Sequence, residues 1–127
     1  MLAEVALLQK NTTTADAALR EAEEFAAATS EGFPLPDIHR LRGELALQNG
    51  NAALAEQWFQ KAIETARSQG ARSYELRATV SLARHWQSEG RRAEARDLLT
   101  GILDQFDEGF ETEDLIEATK LKADLTG

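Results

Sequence analysis

Between residues 14 and 29 the apolar and small side chains Ala15, Ala18, Leu19, Ala22, Phe25 and Ala26 recur three or four positions apart. That spacing puts them in one stripe along a helix and leaves the other face polar. Read the same way along the chain, apolar spacing and turn residues predict helices at about 2–10, 14–29, 36–48, 52–69, 73–88, 92–106 and 113–125. Period-two alternation is almost absent, so the fold class predicted is all-α. Pro36 suits a first helical position, where its missing N–H has no partner to lose, and Asp37 complements the helix dipole there. Gly50-Asn51 and Gly90-Arg91 mark tight turns, Asn51 offers an N-cap, and Thr112 with Glu113 and Asp114 opens the last helix.

Slid against itself by about 40 residues, the chain repeats. Ala15, Ala55 and Ala95 coincide; so do Leu19, Phe59 and Leu99, then Ala22, Ala62 and Ile102. Gly50 matches Gly90, but Lys10 stands in the first copy. A three-residue longer turn at Asn11-Thr12-Thr13-Thr14 would instead move the first copy's register to Ala18, and the sequence leaves both registers open.

Helix pairs with Gly at the turn, followed by Ala, a large residue and Ala at steps of four and three, resemble the tetratricopeptide repeat. The second copy carries Gly43, Gly50, Ala55, Trp58-Phe59 and Ala62-Ile63; the third carries Leu82-Ala83, Trp86, Gly90, Ala95, Leu99 and Ile102-Leu103. The departures are Arg42 where an apolar residue is usual, no terminal proline, and a period nearer 40 than 34. The resemblance implies a TPR-like α-solenoid of antiparallel helix pairs in a single domain. Its parts would be a divergent first pair (1–35), a second (36–70), a third (71–106) and a C-terminal capping helix (112–126). The stretches Gln69–Ala78, Gly90–Leu99 and Glu108–Leu115 look like the carboxy-terminal helical-repeat arm of large bacterial signalling ATPases, many of them described as adenylate or guanylate cyclases or transcriptional regulators. In that family the enzymatic and DNA-binding parts lie elsewhere in a longer chain. The resemblance therefore implies a non-catalytic sensor or interaction arm whose partner is a protein, a peptide, or another domain of the same chain; the alternatives are a segment that regulates a cyclase or ATPase domain in cis and a sensor for a small ligand held between repeats.

Composition narrows the chemistry further. The 127 residues hold 14 Lys and Arg against 22 Asp and Glu, a formal charge of −8, so a nucleic-acid partner is not expected. With no cysteine, disulfides, zinc knuckles and thiol chemistry drop out. No window approaches a membrane span and no signal peptide is read at the amino terminus, which points to a cytoplasmic protein. None of the eight glycines precedes a lysine, so there is no phosphate-binding loop. Paired metal-binding carboxylates on a sheet, which cyclase chemistry needs, have no predicted sheet to stand on. The acid-rich turn from Asp104 fails as a calcium loop, because Phe106 and Leu115 fall where side-chain oxygens are required. His39 and His85 lack partners at ligand spacing and are expected as surface or groove residues, whereas Trp58 and Trp86 are expected to pack in the core. No catalytic residue, metal or cofactor is expected.

The groove positions of the repeat family fall on Arg40, Glu44 and Leu47 in one copy and on Arg77, Arg84 and Gln87 in the next. The Lys and Asn set with which some members clamp a peptide carboxylate is missing, but arginine forks to carboxylates equally well. The alternative is local helix-surface pairing, such as Arg40 with Glu44. Six bases against three acids lie between Arg72 and Arg96, and seven acids with no base run from Asp104 to Glu117. This segregation either steers an acidic partner to one face or lets the chain's end fold back onto the basic helices. The apolar amino terminus (Leu2, Val5, Leu7, Leu8) leaves open a homodimer through the first helices.

Overall fold

The structure is a computed structural model that describes residues 6–28, 35–106 and 113–126, with side chains for all of these except 25–28. Among the described residues there are helices and turns and no strand. A helical segment at 6–8 leads into α1 (Thr12–Ala28), α2 (Leu35–Gln48), α3 (Ala52–Gln69), α4 (Arg72–Ser88), α5 (Arg92–Leu103) and α6 (Glu113–Thr126). No described helix is long and apolar enough to cross a membrane. Residues 1–5, Thr112 with its expected cap, and the acid-rich turn from Asp107 lie outside the described residues.

One turn is made four times: at Ala71, whose N–H donates to the Ala66 carbonyl at 2.9 Å after the left-handed Gly70, and at three places forty residues apart. The N–H of Asn11, Asn51 and Arg91 donates to the carbonyl of Ala6, Ala46 and Trp86 respectively, each at 2.8 Å. The residue before each donor is left-handed, Lys10 at φ 58°, Gly50 at 79° and Gly90 at 81°. Asn11 and Asn51 then cap their helices, each accepting at 3.2 Å from the backbone N–H three residues on. Helices α1, α3 and α5 consequently begin at Thr12, Ala52 and Arg92, forty residues apart. The open register is thereby resolved in favour of Lys10 as the counterpart of Gly50. Ala15 and Leu19 are fully buried, as are Ala55 with Phe59 and Ala95 with Leu99, whereas Ala18 is only half-buried.

Each helix packs on its neighbours in the chain, and α2, α4 and α6 also pack side by side. Three apolar clusters result, lying along the stack of helices. The first joins Ala6, Leu7, Leu19 and Leu41; the second joins Ala46, Phe59, Ala62 and Leu82; the third joins Leu76, Leu99, Ile102 and the buried face of α6. That face is Leu115, Ala118, Leu121 and Leu125. The expected helix 92–106 ends at Leu103, because Gln105 and Phe106 bond back three residues, at 3.0 and 3.1 Å, and Phe106 turns in against the third cluster.

Helices α2 and α3 approach closely at Gly43. A Cβ there would sit 2.4 Å from the Phe59 ring, which is itself fully buried. Gly43→Ala would ordinarily gain about 1 kcal/mol of helix propensity. Here overpacking costs about 1–3 kcal/mol and wins. Urea unfolding should show Gly43→Ala to be destabilising, and less so in a Phe59→Leu background, where the ring is gone; equal costs in both backgrounds would mean that the contact does not set the helix spacing. Conversely, Lys10→Gly should raise stability by up to about 1 kcal/mol in the same assay, since it removes a side chain from the left-handed region.

Candidate functional site

The expected groove residues come together in part. Arg40 on α2 and Arg77 and Arg84 on α4 share a cavity of about 320 Å³ with Glu113, Asp114 and Glu117 of α6. The side-by-side packing of α2 on α4 and of α4 on α6 brings them there. A second cavity, of about 230 Å³, adjoins the first through Arg40 and is lined by Leu7, Leu8, Leu41, Glu44 and Gln48. Gln48 holds its rim by donating to the Leu7 carbonyl at 2.7 Å. Leu47 instead packs on the cluster around Phe59, and the half-buried Gln87 lines neither cavity.

The arginines are matched by the chain's own acids. Arg40 Nε donates at 2.8 Å to Asp37 Oδ1, a carboxylate only 5% exposed, so a partner three residues back joins the suggested Glu44 as a local acid on α2. Arg77 reaches Asp114 at 3.3 Å and Asp37 at 3.7 Å, and Arg84 pairs with Glu117. Of the two outcomes open for the acid-rich segment, folding back onto the basic helices is the one seen for Asp114 and Glu117. The guanidinium of Arg84 is 52% exposed, so its pair contributes about 0–1 kcal/mol and yields readily to another carboxylate.

On the other side of α2 lies a group that sequence reasoning passed over. Arg42, noted only as a departure from the repeat pattern, is 14% exposed and spans two carboxylates of α1, Asp16 at 2.7 Å and Glu23 at 2.6 Å. Its hydrogen bond holds the Asp16 carboxyl below the ordinary range. The available sign was the seven-residue spacing of Asp16 and Glu23, which places both acids on one helix face. Arg42 and Asp16 border a third cavity, of about 380 Å³, with Ala46, Asn49, Leu54 and Trp58. Forty residues on, Trp86 packs on two of the apolar clusters, its Nε1 donates to Glu56 at 2.5 Å, and the Arg91 guanidinium lies 4.5 Å from its ring centroid. Among the described residues, no three His, Asp or Glu side chains are placed to hold a metal ion.

Both histidines depart from expectation, being buried at 7% (His39) and 6% (His85) exposure. His39 faces α3, stacking 5.3 Å from Trp58; His85 faces α3 as well, 6.4 Å from the Phe59 ring, and lies 3.4 Å from Glu89. His39 Nδ1 has no hydrogen-bond partner. Burial, followed by the nearby Lys61 charge, pushes its pKa below the ordinary 6.5, with Glu23 opposing and Arg42 adding a little.

The unfolded chain therefore takes up the His39 proton first. The stability this neutral imidazole contributes is complete above about pH 6.5 and is lost as pH falls through the lower folded value. Wild-type stability should decline between about pH 7 and 5 more steeply than that of His39→Phe, measured by urea unfolding at each pH. Parallel profiles would sink this account. Compared with known proteins, the chain matches no family model, no curated protein and no solved structure, so its function is read from its own residues.

Proposed function

We propose that the chain is a TPR-like α-solenoid: α1, α3 and α5 act as second helices of three antiparallel pairs, and α6 acts as a capping helix in the position of a fourth first helix. The forty-residue spacing of the turns at Asn11, Asn51 and Arg91 supports this, as does the burial of Ile38, Ala78 and Ala118 at forty-residue steps along α2, α4 and α6. On this reading the module is non-catalytic and binds a protein or peptide, or another domain of a longer chain, along the surface of α2, α4 and α6. One observation carries the assignment. Three arginines from two successive first helices, Arg40 of α2 with Arg77 and Arg84 of α4, converge on one cavity beside an apolar one that shares Arg40.

A segment suited to this surface brings a carboxylate to Arg77 or Arg84, replacing Asp114 or Glu117, and an apolar side chain to Leu7, Leu8 and Leu41. Carboxylate exchange of this kind changes the net pairing little, so affinity comes from the apolar anchor and selectivity from the arginines. Selection of a phage-displayed random peptide library on the immobilised chain should enrich peptides that combine an acidic residue with a large apolar one. Their binding should weaken with salt and fall about tenfold or more on Arg77→Ala/Arg84→Ala, with a melting temperature within a few degrees of wild type. Equal enrichment on that variant would refute the groove assignment.

A further inference from the structure

The internal repeat provides a template for the third cavity. A forty-residue shift carries Asp16 onto Glu56, Ala46 onto Trp86, Asn51 onto Arg91 and Trp58 onto Leu98. Trp86 fills the notch between α3, α4 and α5: its ring packs on Leu98's cluster, its N–H reaches Glu56, and the Arg91 guanidinium covers it. The matching notch between α1, α2 and α3 has the acceptor in place at Asp16 but only the methyl group of Ala46 where the indole would be, and there the cavity of about 380 Å³ opens. That volume falls among those of small-ligand clefts, about 300–1,000 Å³.

The first notch also holds what such a ring needs. Arg42, in the place of Leu82, supplies a guanidinium from α2 in lieu of Arg91, and it is fixed by Asp16 and Glu23 before any ligand arrives. Trp58, in the place of Leu98, adds an aromatic wall held by His39 on one side, with Lys61 5.3 Å from its ring. Asp16 is kept ionised by Arg42 through Oδ1; its Oδ2, paired at 3.0 Å with the largely exposed Arg20, retains a lone pair for a further donor. Arg40 and Arg42 are two residues apart, roughly 200° around α2, so this notch is separate from the arginine-lined surface.

We propose that the notch between α1, α2 and α3 binds a planar aromatic group with an N–H donor, an indole or its like, in the pose Trp86 adopts one repeat later. The N–H donates to Asp16, the ring lies against Ala46 and Trp58, and the Arg42 guanidinium meets its face. The same chemistry is offered by a free indole and by a tryptophan side chain of another protein.

The test is titration of the full ¹⁵N-labelled chain with indole, N-methylindole and N-acetyltryptophanamide, followed by amide and indole N–H chemical shifts. Saturable shifts are expected at Ala46, Asn49, Leu54 and the Trp58 indole, with N-methylindole about tenfold weaker because it lacks the donor. Binding of N-acetyltryptophanamide as well as indole assigns the notch to a protein side chain; binding of indole alone assigns it to a small molecule. Ala46→Trp, which copies the third repeat into the second, should fill the notch and abolish the shifts while melting no lower than wild type. Should that variant not fold, Asp16→Asn gives the second readout, since it should erase the preference for indole over N-methylindole. No saturable shift up to about 10 mM, shifts unchanged in a folded Ala46→Trp, or a preference that survives Asp16→Asn would each overturn the proposal.

Discussion

A helix pair of this kind depends on how tightly its turn closes. The hydrogen bond from the first residue after the turn back to the carbonyl five residues earlier can form only if the residue between enters the left-handed region. Once it forms, the direction of the second helix is fixed, and residues four, eight and eleven positions beyond the donor face the first helix. These are Ala15, Leu19 and Ala22, with their counterparts Ala55, Phe59, Ala62 and Ala95, Leu99, Ile102, all buried. A small side chain precedes a large one in every copy, and in the first two a second alanine follows, so the second helix approaches closely where the alanines lie and keys in at the large residue. The close approach of Gly43 to Phe59 is one result.

Because that turn is local, much of the fold is legible from sequence. Helix limits, the Asn51 cap and the forty-residue period all follow from residues within a few positions of one another. What stayed open was the first copy, and for a physical reason. Lysine has no intrinsic liking for the left-handed region, so Lys10 does not read as a turn residue, and only the burial of Ala15 and Leu19 against α2 compensates the local cost of about 1–2 kcal/mol. The histidines went astray similarly. Their polarity predicts surface, but helix phase places His39 and His85 on the inward side, where their rings pack against the aromatic rings of α3.

The arginines show the limit from the other direction. Charge segregation between Arg72–Arg96 and Asp104–Glu117 was plain in sequence, but which arginine meets which acid depends on where α6 returns along α4, a contact more than thirty residues away. Magnitudes separate cause from consequence. Burial of Leu115, Leu121 and Leu125 contributes about 1.5–3 kcal/mol each, whereas a partly exposed ion pair contributes about 0–1 kcal/mol. The apolar face therefore docks α6, and the Arg77–Asp114 and Arg84–Glu117 pairs adjust its position. A surface held by its weaker bonds is one where another carboxylate can enter without unfolding the helix beneath.

Repetition also makes the exceptions informative. The alanine and the large residue that open each second helix, Ala15 with Leu19, Ala55 with Phe59 and Ala95 with Leu99, keep their character in the three copies, because a change there alters the spacing of helices. Positions around the notches are under no such constraint: Ala46 answers Trp86, Arg42 answers Leu82, and Trp58 answers Leu98. Where the third copy closes its notch with its own indole, the second has a small residue, a fixed guanidinium and an aromatic wall around a cavity. Burying Arg42 to 14% exposure incurs a desolvation cost that leucine at the equivalent position avoids, and two carboxylates are committed to outweighing it. Packing alone gives no reason to prefer that triad over Leu82's solution. Recognition of an aromatic face does, since a guanidinium already held in place interacts with a ring at little entropic cost.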